Sequence, residues 1–431
     1  MDYIKTLERI HSLNKFGSRP GLDRVQMLLS KMGNPQNAIS YLHVAGTNGK
    51  GSVCAVASAV LRSAGYKTGL FISPFITDFC ERIQIDNEPI PREKLCEIAD
   101  YVFSFVDELN KDDIIITEFE FVTAVAFEYF KRECCDIVVL EVGLGGRLDS
   151  TNVIKAPLCS ALVRIGLDHT DILGDTVEKI AAEKAGIIKR GTKVVSSPQP
   201  EGAREVIECF CKEKDADLTF SDCVEIEVLE SSVTGTKFVY EGELMTLPLV
   251  GEHQLENLKT ALCAVQKLRE SGLVNIDTTA VKNGVESAVN PARFELIASK
   301  PAVIIDGAHN PDGMSTFANA VRKYLGNKQG VLMMGMLADK DSRSSLEYIK
   351  GLFCEVYTAP INNPRAMKSE YMAELVSQYF DVVTPCENVQ EAFAKAHDRA
   401  VELDTHLCVC GSLYLAGEVR PFALEYTKKH G

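Results

Sequence analysis

The chain is predicted to belong to the α/β class, with a doubly wound, mostly parallel sheet in its N-terminal part. Apolar runs that suit strands alternate with helical patterns along its 431 residues, which is typical of helices packed on a parallel sheet. The run at residues 136–141 stays apolar up to a final acid, as expected for a strand that helices cover on both faces. A second strand–turn–helix pattern near residue 303 predicts a smaller C-terminal Rossmann-like α/β domain.

The elements of the N-terminal part follow from hydrophobic spacing. Ile4, Leu7, Ile10 and Leu13 recur at helical intervals and predict an opening helix. Further helices are predicted at 24–32, 53–64, 119–134 and 251–268, and strands at 38–42, 68–71, 136–141 and 161–165. Residues 224–249 alternate between apolar and polar side chains, so they are expected to form antiparallel strands appended to the sheet.

The C-terminal part begins after a change in character between Pro291 and Pro301. Strands are predicted there at 303–306, 331–334, 356–357 and 407–409, with helices between them. We therefore place a domain boundary that divides the chain into residues 1–296 and 297–431.

Composition narrows the classes of partner. The net charge of −14 argues against nucleic acid and against an anionic membrane surface. No apolar stretch approaches the roughly 18 residues of a membrane-spanning helix. The 14 cysteines are scattered without the spacing of a zinc site. Because the N-terminus lacks a basic segment followed by an apolar one, we expect reduced thiols in a cytoplasmic protein.

The segment at residues 43–52, HVAGTNGKGS, carries the strongest functional signal. A predicted strand precedes it and a buried helix follows, which is the context of a nucleotide phosphate loop and makes the sheet P-loop-type. Lys50 is placed to reach the β- and γ-phosphates, and Thr47 or Ser52 to contact Mg²⁺. The strict G-x-x-x-x-G-K-[ST] pattern fails at Val44 and Gly51, so a plain glycine-rich turn with an exposed lysine is the alternative.

Polar side chains follow two further strands of the predicted sheet. Glu141 ends one strand, and Asp168 and His169 come just past another. Ligands bind at the carboxyl ends of parallel strands, so Glu141 is a candidate ligand for Mg²⁺ and His169 a second one. The alternatives are an exposed loop acid and a structural histidine. Lys184 lies among small and apolar residues, where it either extends its amine to solvent or is functional.

Three residues near the domain boundary are further candidates. Asp306 and His309 follow a strand at the start of the C-terminal part, and Arg293 lies in the junction. An arginine at a junction that faces a nucleotide site would suit phosphate, whereas a solvated arginine is the alternative.

These segments resemble, in order along nearly the whole chain, the motifs of the folylpolyglutamate synthase/dihydrofolate synthase family within the Mur ligase superfamily. The motifs are residues 20–22 (PGL), 43–52, 73–74 (SP), 81–83 (ERI), 145–152 (GGRLDSTN), 167–170 (LDHT), 183–189 (EKAGIIK), 251–257 (GEHQLEN), 293–295 (RFE) and 306–311 (DGAHNP). The Gly-Thr-Asn-Gly-Lys-Gly-Ser form of the loop is this family's own, which accounts for the departure from the strict pattern.

The resemblance implies an ATP-dependent amide ligase. A carboxylate of dihydropteroate or of a reduced folate would accept the γ-phosphoryl group of ATP, and the amine of L-glutamate would displace phosphate from the acyl phosphate. Mg²⁺ is implied as cofactor, with room for a monovalent cation. The form of the 146–149 segment favours a bifunctional enzyme with both activities, and the family favours a monomer. Muramyl ligases carry a UDP-sugar domain ahead of the loop, and the residues before Gly46 are too few for one.

The resemblance also implies residue roles. The residues implied for ATP are Gly46, Thr47, Asn48, Gly49, Lys50, Gly51, Ser52, Asn257, Arg293, Asp306 and His309. Those implied for the metal are Ser73, Glu141 and His169. Thr117, Phe119 and Asp149 fall on the pterin side, and Ser412 lies near the expected glutamate site. Lys184 matches a lysine that is carbamylated in the superfamily, and Lys50, Lys184 and His309 are the implied catalytic residues.

The sequence is also compatible with two other functions. The chain could be a folylpolyglutamate synthase only. It could also be a nucleotide-binding switch that hydrolyses ATP without ligating anything, although Asp306 and His309 argue against this because a switch needs no second domain at the phosphates.

Overall fold

The computed structural model describes residues 2–13, 20–338 and 341–430. The first sheet contains eight strands. Their bounds are β1 (Ser40–Ala45), β2 (Thr68–Phe71), β3 (Ile83–Ile85), β4 (Glu88–Pro89), β5 (Ile137–Glu141), β6 (Cys159–Leu162), β7 (Lys193–Ser196) and β8 (Asp217–Phe220). The spatial order is β4-β3-β2-β5-β1-β6-β7-β8, and the six strands from β2 to β8 pair in parallel. The doubly wound parallel sheet is therefore confirmed, with β3 and β4 as an antiparallel edge that the hydrophobic pattern did not predict.

Helices cover both faces of this sheet. Their bounds are α1 (Tyr3–His11), α2 (Asp23–Lys31), α3 (Lys50–Ser63), α4 (Arg92–Lys111), α5 (Glu118–Arg132), α6 (Thr170–Leu173), α7 (Val177–Ala185), α8 (Glu201–Lys214), α9 (Glu252–Glu270) and α10 (Thr278–Glu286). On β5, Ile137 and Val139 pack with α3, α9 and α10, whereas Val138 and Leu140 pack with α4 and α5. Alternate side chains of one strand thus enter two cores, which explains its continuous apolar sequence.

The predicted antiparallel strands form a sheet of their own instead of extending the large one. They are β9 (Glu227–Ser232), β10 (Gly235–Tyr240) and β11 (Glu243–Leu247), in the order β11-β10-β9. Phe238, Met245 and Leu247 are buried in the same core as α3, α9 and α10. Side-chain packing on the helices, and not a backbone ladder to β8, therefore attaches these strands to the domain.

The C-terminal sheet contains six strands. They are β12 (Glu295–Ser299), β13 (Ala302–Ile305), β14 (Gly330–Met334), β15 (Phe353–Thr358), β16 (Val383–Pro385) and β17 (Leu407–Cys410). The order is β12-β13-β17-β14-β15-β16, parallel except for β12. Its helices are α11 (Pro311–Tyr324), α12 (Ser342–Ile349), α13 (Ser369–Val376), α14 (Val389–Glu402) and α15 (Leu413–His430).

Helix α15 joins the two parts of the molecule. Ile76, from the loop after β2, packs against the apolar cluster that contains Leu413, Ala416 and Val419. Gly417 lies directly on the carbonyl of Ile76 and leaves no room for a side chain. Across the described residues, every helix is too short or too polar to span a bilayer.

Candidate active site

The loop at residues 46–52, here called the phosphate loop, leaves the centre of the large sheet. Strand β1 lies between β5 and β6, and Val44 pairs with Glu141. Gly46 has φ +154° and packs so closely on Val163 that a β-carbon would overlap its side chain. Gly49 has φ +97° and faces the amide oxygen of Asn257 in the same way. Both positions therefore require glycine.

Hydrogen bonds fasten the phosphate loop to the segment that follows β6. The N–H of Thr47 donates to the carbonyl of Arg164 at 2.9 Å. The Thr47 hydroxyl donates to the carbonyl of Gly166 at 3.0 Å and accepts from its N–H at 3.1 Å. Thr47 is thus a structural link between two strand ends. Helix α3 begins at Lys50, and the N–H groups of its first turn have no partner within the helix, so they can face an anion.

Two lysines converge on the phosphate loop. Lys50 donates to the carbonyls of Gly46 and Thr47 at 3.1 and 3.2 Å, and Lys184, on α7, donates to the same Gly46 carbonyl at 2.9 Å. Lys184 is only 5% exposed. Burial, and then the nearby charge of Lys50, lower the pKa of Lys184 to about 7. Lys184 therefore does not extend to solvent, and its lowered pKa favours the neutral amine more than in an exposed lysine.

A cavity of about 30 Å³ lies between these lysines and the strand ends. Its lining consists of Gly46, Thr47, Lys50, Val142, Gly143, Leu144, Gly145, Asp168, His169, Leu173 and Lys184. A water needs roughly 10–15 Å³ of such space, so the cavity holds about two waters or an ion but no triphosphate.

Glu141 and Ser73 meet where β5 and β2 end. The N–H of Ser73 donates to Oε2 of Glu141 at 3.0 Å. Glu141 is 4% exposed, and burial raises its pKa against the opposing charges of Lys50 and Arg293. A carboxylate and a serine hydroxyl are the hard oxygen donors that Mg²⁺ prefers, and a cation at Glu141 would relieve the cost of burying the carboxylate. These two residues fit the metal that the sequence implied.

His169 stands apart from that pair. It has φ +50° ahead of α6, lines the cavity and lies 3.9 Å from the carboxylate of Asp168. Among the described residues, no three His, Cys, Asp or Glu side chains cluster closely enough to hold a metal. A metal at Glu141 would take its remaining oxygens from phosphate and water.

The second glycine loop, residues 143–149, is organised by Asp149. The Asp149 carboxylate accepts from the N–H of Leu144 at 2.8 Å and from the N–H and hydroxyl of Thr151 at 3.0 and 2.5 Å. Nε2 of His43, on β1, lies 2.9 Å from that hydroxyl. Since the hydroxyl donates to Asp149, Nε2 must carry the hydrogen. Asp149 therefore anchors the loop from within, and the place that the resemblance gives it on the substrate side stays a prediction.

Three candidates for binding ATP lie outside the phosphate loop: Asn257 on α9, and Asp306 and His309 in the loop after β13. Asn257 packs on Gly49 and donates to Gln254 at 3.0 Å. Asp306 accepts from the N–H groups of Phe294 and Ala308, each at 2.7 Å, and burial raises its pKa against the charge of Arg293. Nδ1 of His309 donates to the carbonyl of Gly307 at 2.8 Å, which leaves Nε2 as the acceptor of the ring.

The remaining candidates have local bonds. Thr117 is the N-cap of α5, and its hydroxyl donates to Glu120 at 2.9 Å. The ring of Phe119 packs on Gly143, and so borders the second glycine loop. The Ser412 hydroxyl accepts from the N–H of Tyr414 at 3.1 Å, and the preceding Gly411 donates to Ala308 at 2.9 Å. Ser412 is thus placed beside the loop of Asp306 and His309.

Sequence reasoning missed several residues of this site. Asn290 donates to the hydroxyl of Ser52 at 3.0 Å and so joins the phosphate loop to the domain junction. His43 and Thr151 lie inside recognised motifs, but nothing in their spacing, 108 residues apart, indicates that they bond. Gln254 stood in a recognised motif without an assigned role.

Comparison with known proteins then identifies the family. A model of the Mur ligase middle domain matches residues 44–265, and a model of the Mur ligase glutamate ligase domain matches residues 292–413. The chain is 36% identical to a folylpolyglutamate synthase of Lacticaseibacillus casei over 97% of this chain and 98% of that protein. It is 34% identical to a dihydrofolate synthase/folylpolyglutamate synthase of Bacillus subtilis (strain 168) over 95% of this chain and 96% of that protein.

A solved structure agrees with these relatives. The folylpolyglutamate synthase of Mycobacterium tuberculosis, complexed with ADP and AMPPCP, matches with a TM-score of 0.89 at 31% identity, and the match covers 98% of this chain and 99% of that chain. The two-domain fold, the family's own form of the phosphate loop and relatives aligned over almost the full length lead to one conclusion: this chain belongs to the folylpolyglutamate synthase/dihydrofolate synthase family of Mur ligases.

Proposed function

We propose that this ligase joins L-glutamate to dihydropteroate and to reduced folyl(poly)glutamate, and so has both activities of its family. One observation carries the proposal: Lys50, Lys184 and Glu141 surround a phosphate loop at the edge of the sheet where ligands of α/β proteins bind. Relatives that cover almost the whole chain are named for one or both activities.

The reaction has two steps. A carboxylate oxygen of the acceptor attacks the γ-phosphorus of ATP, so that an acyl phosphate forms and ADP leaves. The amine of L-glutamate then attacks the acyl carbon, an amide bond forms, and phosphate leaves with loss of one proton from the amine. Phosphoryl transfer depends on positioning and on neutralisation of charge, which is what the charged residues of this site supply.

The residues of the phosphate loop would bind the nucleotide. The N–H groups from Gly46 to Ser52 would face phosphate oxygens, and Lys50 would place its charge on the transferred group. Glu141 and Ser73 would hold Mg²⁺, with His169 as a further candidate ligand. Bound Mg²⁺ would neutralise charge on the phosphates. Asn257, Arg293, Asp306 and His309 would close on the nucleotide from α9 and from the C-terminal part.

The buried Lys184 suits carbamylation. A neutral amine reacts with CO₂, and burial lowers the pKa of Lys184 to about 7, which favours its neutral form. The carbamate would replace a buried cation by an anion next to Lys50, which relieves the repulsion between the two lysines. We propose that Lys184 acts in catalysis in this form.

The proposal also covers the residues near the folate acceptor and L-glutamate, the location of the enzyme and its oligomeric state. Phe119 would border the pterin, with Thr117 and Asp149 shaping that side through the bonds described above, and Ser412 would lie near L-glutamate. We propose a cytoplasmic monomer, a division into domains near residue 296 and room for a monovalent cation. The strand β12 begins at Glu295, which supports a boundary in this neighbourhood.

Release of ADP tests the proposal. Purified protein receives Mg²⁺-ATP and L-glutamate, with dihydropteroate in one reaction and tetrahydrofolate in another. Release with both acceptors is expected. Release with tetrahydrofolate alone would indicate a folylpolyglutamate synthase only. Release that ignores both acceptors would support an ATPase switch and contradict the proposal.

A further inference from the structure

The linker turn, residues 292–294, has an unusual backbone. Ala292 has φ +56° and Phe294 has φ +47°, although neither is glycine. A left-handed conformation is strained for a residue with a side chain, so the surroundings must hold both residues in place. Both side chains are buried, with exposures of 0% and 2%. Arg293 lies between them, and the turn fixes the direction in which its side chain leaves the backbone.

Arg293 faces the nucleotide candidates from this turn. Its Nη1 lies 3.1 Å from the point where a β-carbon on Gly307 would stand, so the guanidinium runs along the loop of Asp306 and His309. Its charge also reaches Glu141, in the N-terminal part, where it opposes the rise in the pKa of that carboxyl. The charge of Arg293 therefore acts on a buried carboxyl in each part of the molecule.

Two carboxylates hold the backbone on either side of Arg293. The N–H of Phe294 donates to Oδ2 of Asp306 at 2.7 Å, and the N–H of Ala292 donates to Oε2 of Glu295 at 2.9 Å. The carbonyl of Ala292 accepts from the N–H of Gly307 at 2.8 Å. Asp306 was expected in the site from the sequence. Glu295 has no assigned role, yet it anchors the turn in the same way.

Arg420 fixes the orientation of Glu295. On α15, Nε of Arg420 lies 3.0 and 2.9 Å from Oε1 and Oε2 of Glu295, and Nη2 lies 2.7 Å from Oε1. The side chains are only 24% and 20% exposed, and a bidentate pair of this kind sets the plane of the carboxylate. In that plane Oε2 of Glu295 accepts the hydrogen bond from the N–H of Ala292. Removal of Arg420 would free the carboxylate to rotate away from the turn.

The helix that carries Arg420 is itself seated on the N-terminal part. Gly417 packs on the carbonyl of Ile76, in the loop that follows Ser73. Glu81 accepts the N–H of Ile76 at 2.8 Å, and its charge adds to that of Glu295 in raising the pKa of Arg420. A continuous set of contacts thus runs from the Ser73 loop through α15 and Glu295 to Arg293.

We propose that Glu295 and Arg420 are positioning residues for the ligase reaction, which hold Arg293 in the direction that bound nucleotide requires. This inference rests on the proposed function, because it takes Arg293 as a nucleotide contact. A merely structural role would be to fasten α15 to β12. That role predicts a loss of stability without a selective effect on the nucleotide.

Steady-state kinetics separate the two roles. The variants are Arg420→Met, Glu295→Ala and Glu295→Gln, and the Gln variant keeps an acceptor for the N–H of Ala292. The matched control is Arg399→Met. Arg399, on α14, forms an ion pair of 2.7 Å with Glu355, on β15 of the C-terminal sheet, away from the junction. Each protein is measured for kcat, for KM of ATP and of the folate acceptor, for ADP affinity by calorimetry and for its thermal midpoint.

We expect KM for ATP to rise roughly tenfold in Arg420→Met and Glu295→Ala, as loss of one charge-assisted bond predicts, with KM for the acceptor unchanged. Glu295→Gln should lie between these variants and wild type, and the double variant should be no worse than Glu295→Ala alone. An unchanged KM for ATP in Arg420→Met, or a change matched by Arg399→Met, would overturn the inference. If Arg420→Met does not fold, Glu295→Ala decides, since this variant lacks the acceptor for the N–H of Ala292 and an unchanged KM for ATP there overturns the inference equally.

The wild-type protein distinguishes the two levels of the proposal. If it releases no ADP with L-glutamate and either acceptor, the proposed function fails. If it is active while the variants keep the KM for ATP of wild type, the inference about Glu295 and Arg420 fails alone.

Discussion

Lys184 donates a hydrogen bond of 2.9 Å to the carbonyl of Gly46, the same oxygen that accepts from Lys50 at 3.1 Å. Two cations thus share one acceptor beneath a loop built to receive an anion. The mutual repulsion is one cause of the lowered pKa of Lys184. Arrival of phosphate, or conversion of one amine to an anion, would relieve this repulsion, so the charge state of the pair is central to the site.

Replacement of Lys50 by alanine should abolish turnover. The side chain donates to two carbonyls of its own loop, so its loss leaves the phosphate charge unmatched while the fold is kept. We expect kcat to fall by about a hundredfold or more, measured as phosphate release under saturating ATP. Lys67→Ala is the control, because Lys67 is also partly exposed and pairs with Glu133 at 3.2 Å away from the site. Near wild-type turnover in Lys50→Ala would remove the loop lysine from the mechanism.

Replacement of Lys184 by methionine should impair turnover, and added formate or acetate should restore part of it. A short carboxylate can occupy the space in which the carbamate of the native lysine would lie. The measurement is the initial rate with and without the carboxylate. Lys189→Met is the matched variant, since Lys189 lies on the same segment but donates to Asn152 at 3.1 Å outside the cavity. Wild-type rates in Lys184→Met would return this lysine to a structural role.

His43 should make folding sensitive to acid. Burial lowers its pKa to about 3 from the ordinary value of 6.5. Between those values the unfolded chain binds a proton that the folded chain does not, so stability is lost as pH falls below 6.5. From pH 7 to pH 5 this group alone should lower the free energy of unfolding by about 2 kcal/mol.

The variant His43→Gln tests this effect, because its amide can still donate to Thr151 but does not titrate. Urea unfolding at both pH values should show a smaller loss for the variant than for wild type by about that amount. An equal loss in the two proteins would mean that His43 is not buried as a neutral ring.

Gly49→Ala should weaken the binding of ATP. The β-carbon would meet the amide of Asn257, and φ of +97° is strained for alanine. Gly65→Ala is the control, since Gly65 has φ +88° at the end of the same helix with open space around it. Both variants should lose about 1 kcal/mol of stability. Only Gly49→Ala should raise KM for ATP, by roughly tenfold, and equal KM values would place Asn257 outside the site.

The regular part of the fold could be predicted because it depends on local pattern. Strand β2 was predicted at 68–71 and is found at Thr68–Phe71. The strand predicted at 161–165 ends earlier, at Leu162. Beyond that point Arg164 accepts from Thr47, and the N–H of Ile165 donates to Gln199 at 2.9 Å. The apolar run thus continues beyond the hydrogen-bonded strand β6, because the backbone after Leu162 forms hydrogen bonds to the phosphate loop.

The site was predictable where a residue acts through its own segment, as in the phosphate loop. The contacts of a candidate were harder to predict where its polar side chain forms hydrogen bonds to neighbouring residues. Thr117 caps its own helix, and Asp149 anchors its own loop, which motif position does not reveal. The pair of Arg420 and Glu295 joins residues 125 positions apart, and their partnership depends on packing of the whole C-terminal part.

The parallel order β2-β5-β1-β6 limits the insertions and deletions that the enzyme can tolerate during evolution. Ser73, Gly46 and the segment before His169 follow three of these strands, and Glu141 is the last residue of the fourth, where its pairing with Val44 aligns β5 with β1. An inserted or deleted residue in any one strand would displace its reactive group by about 3.3 Å relative to the other three. Strand lengths here should therefore resist insertion and deletion, while the loops at the opposite edge are free to vary.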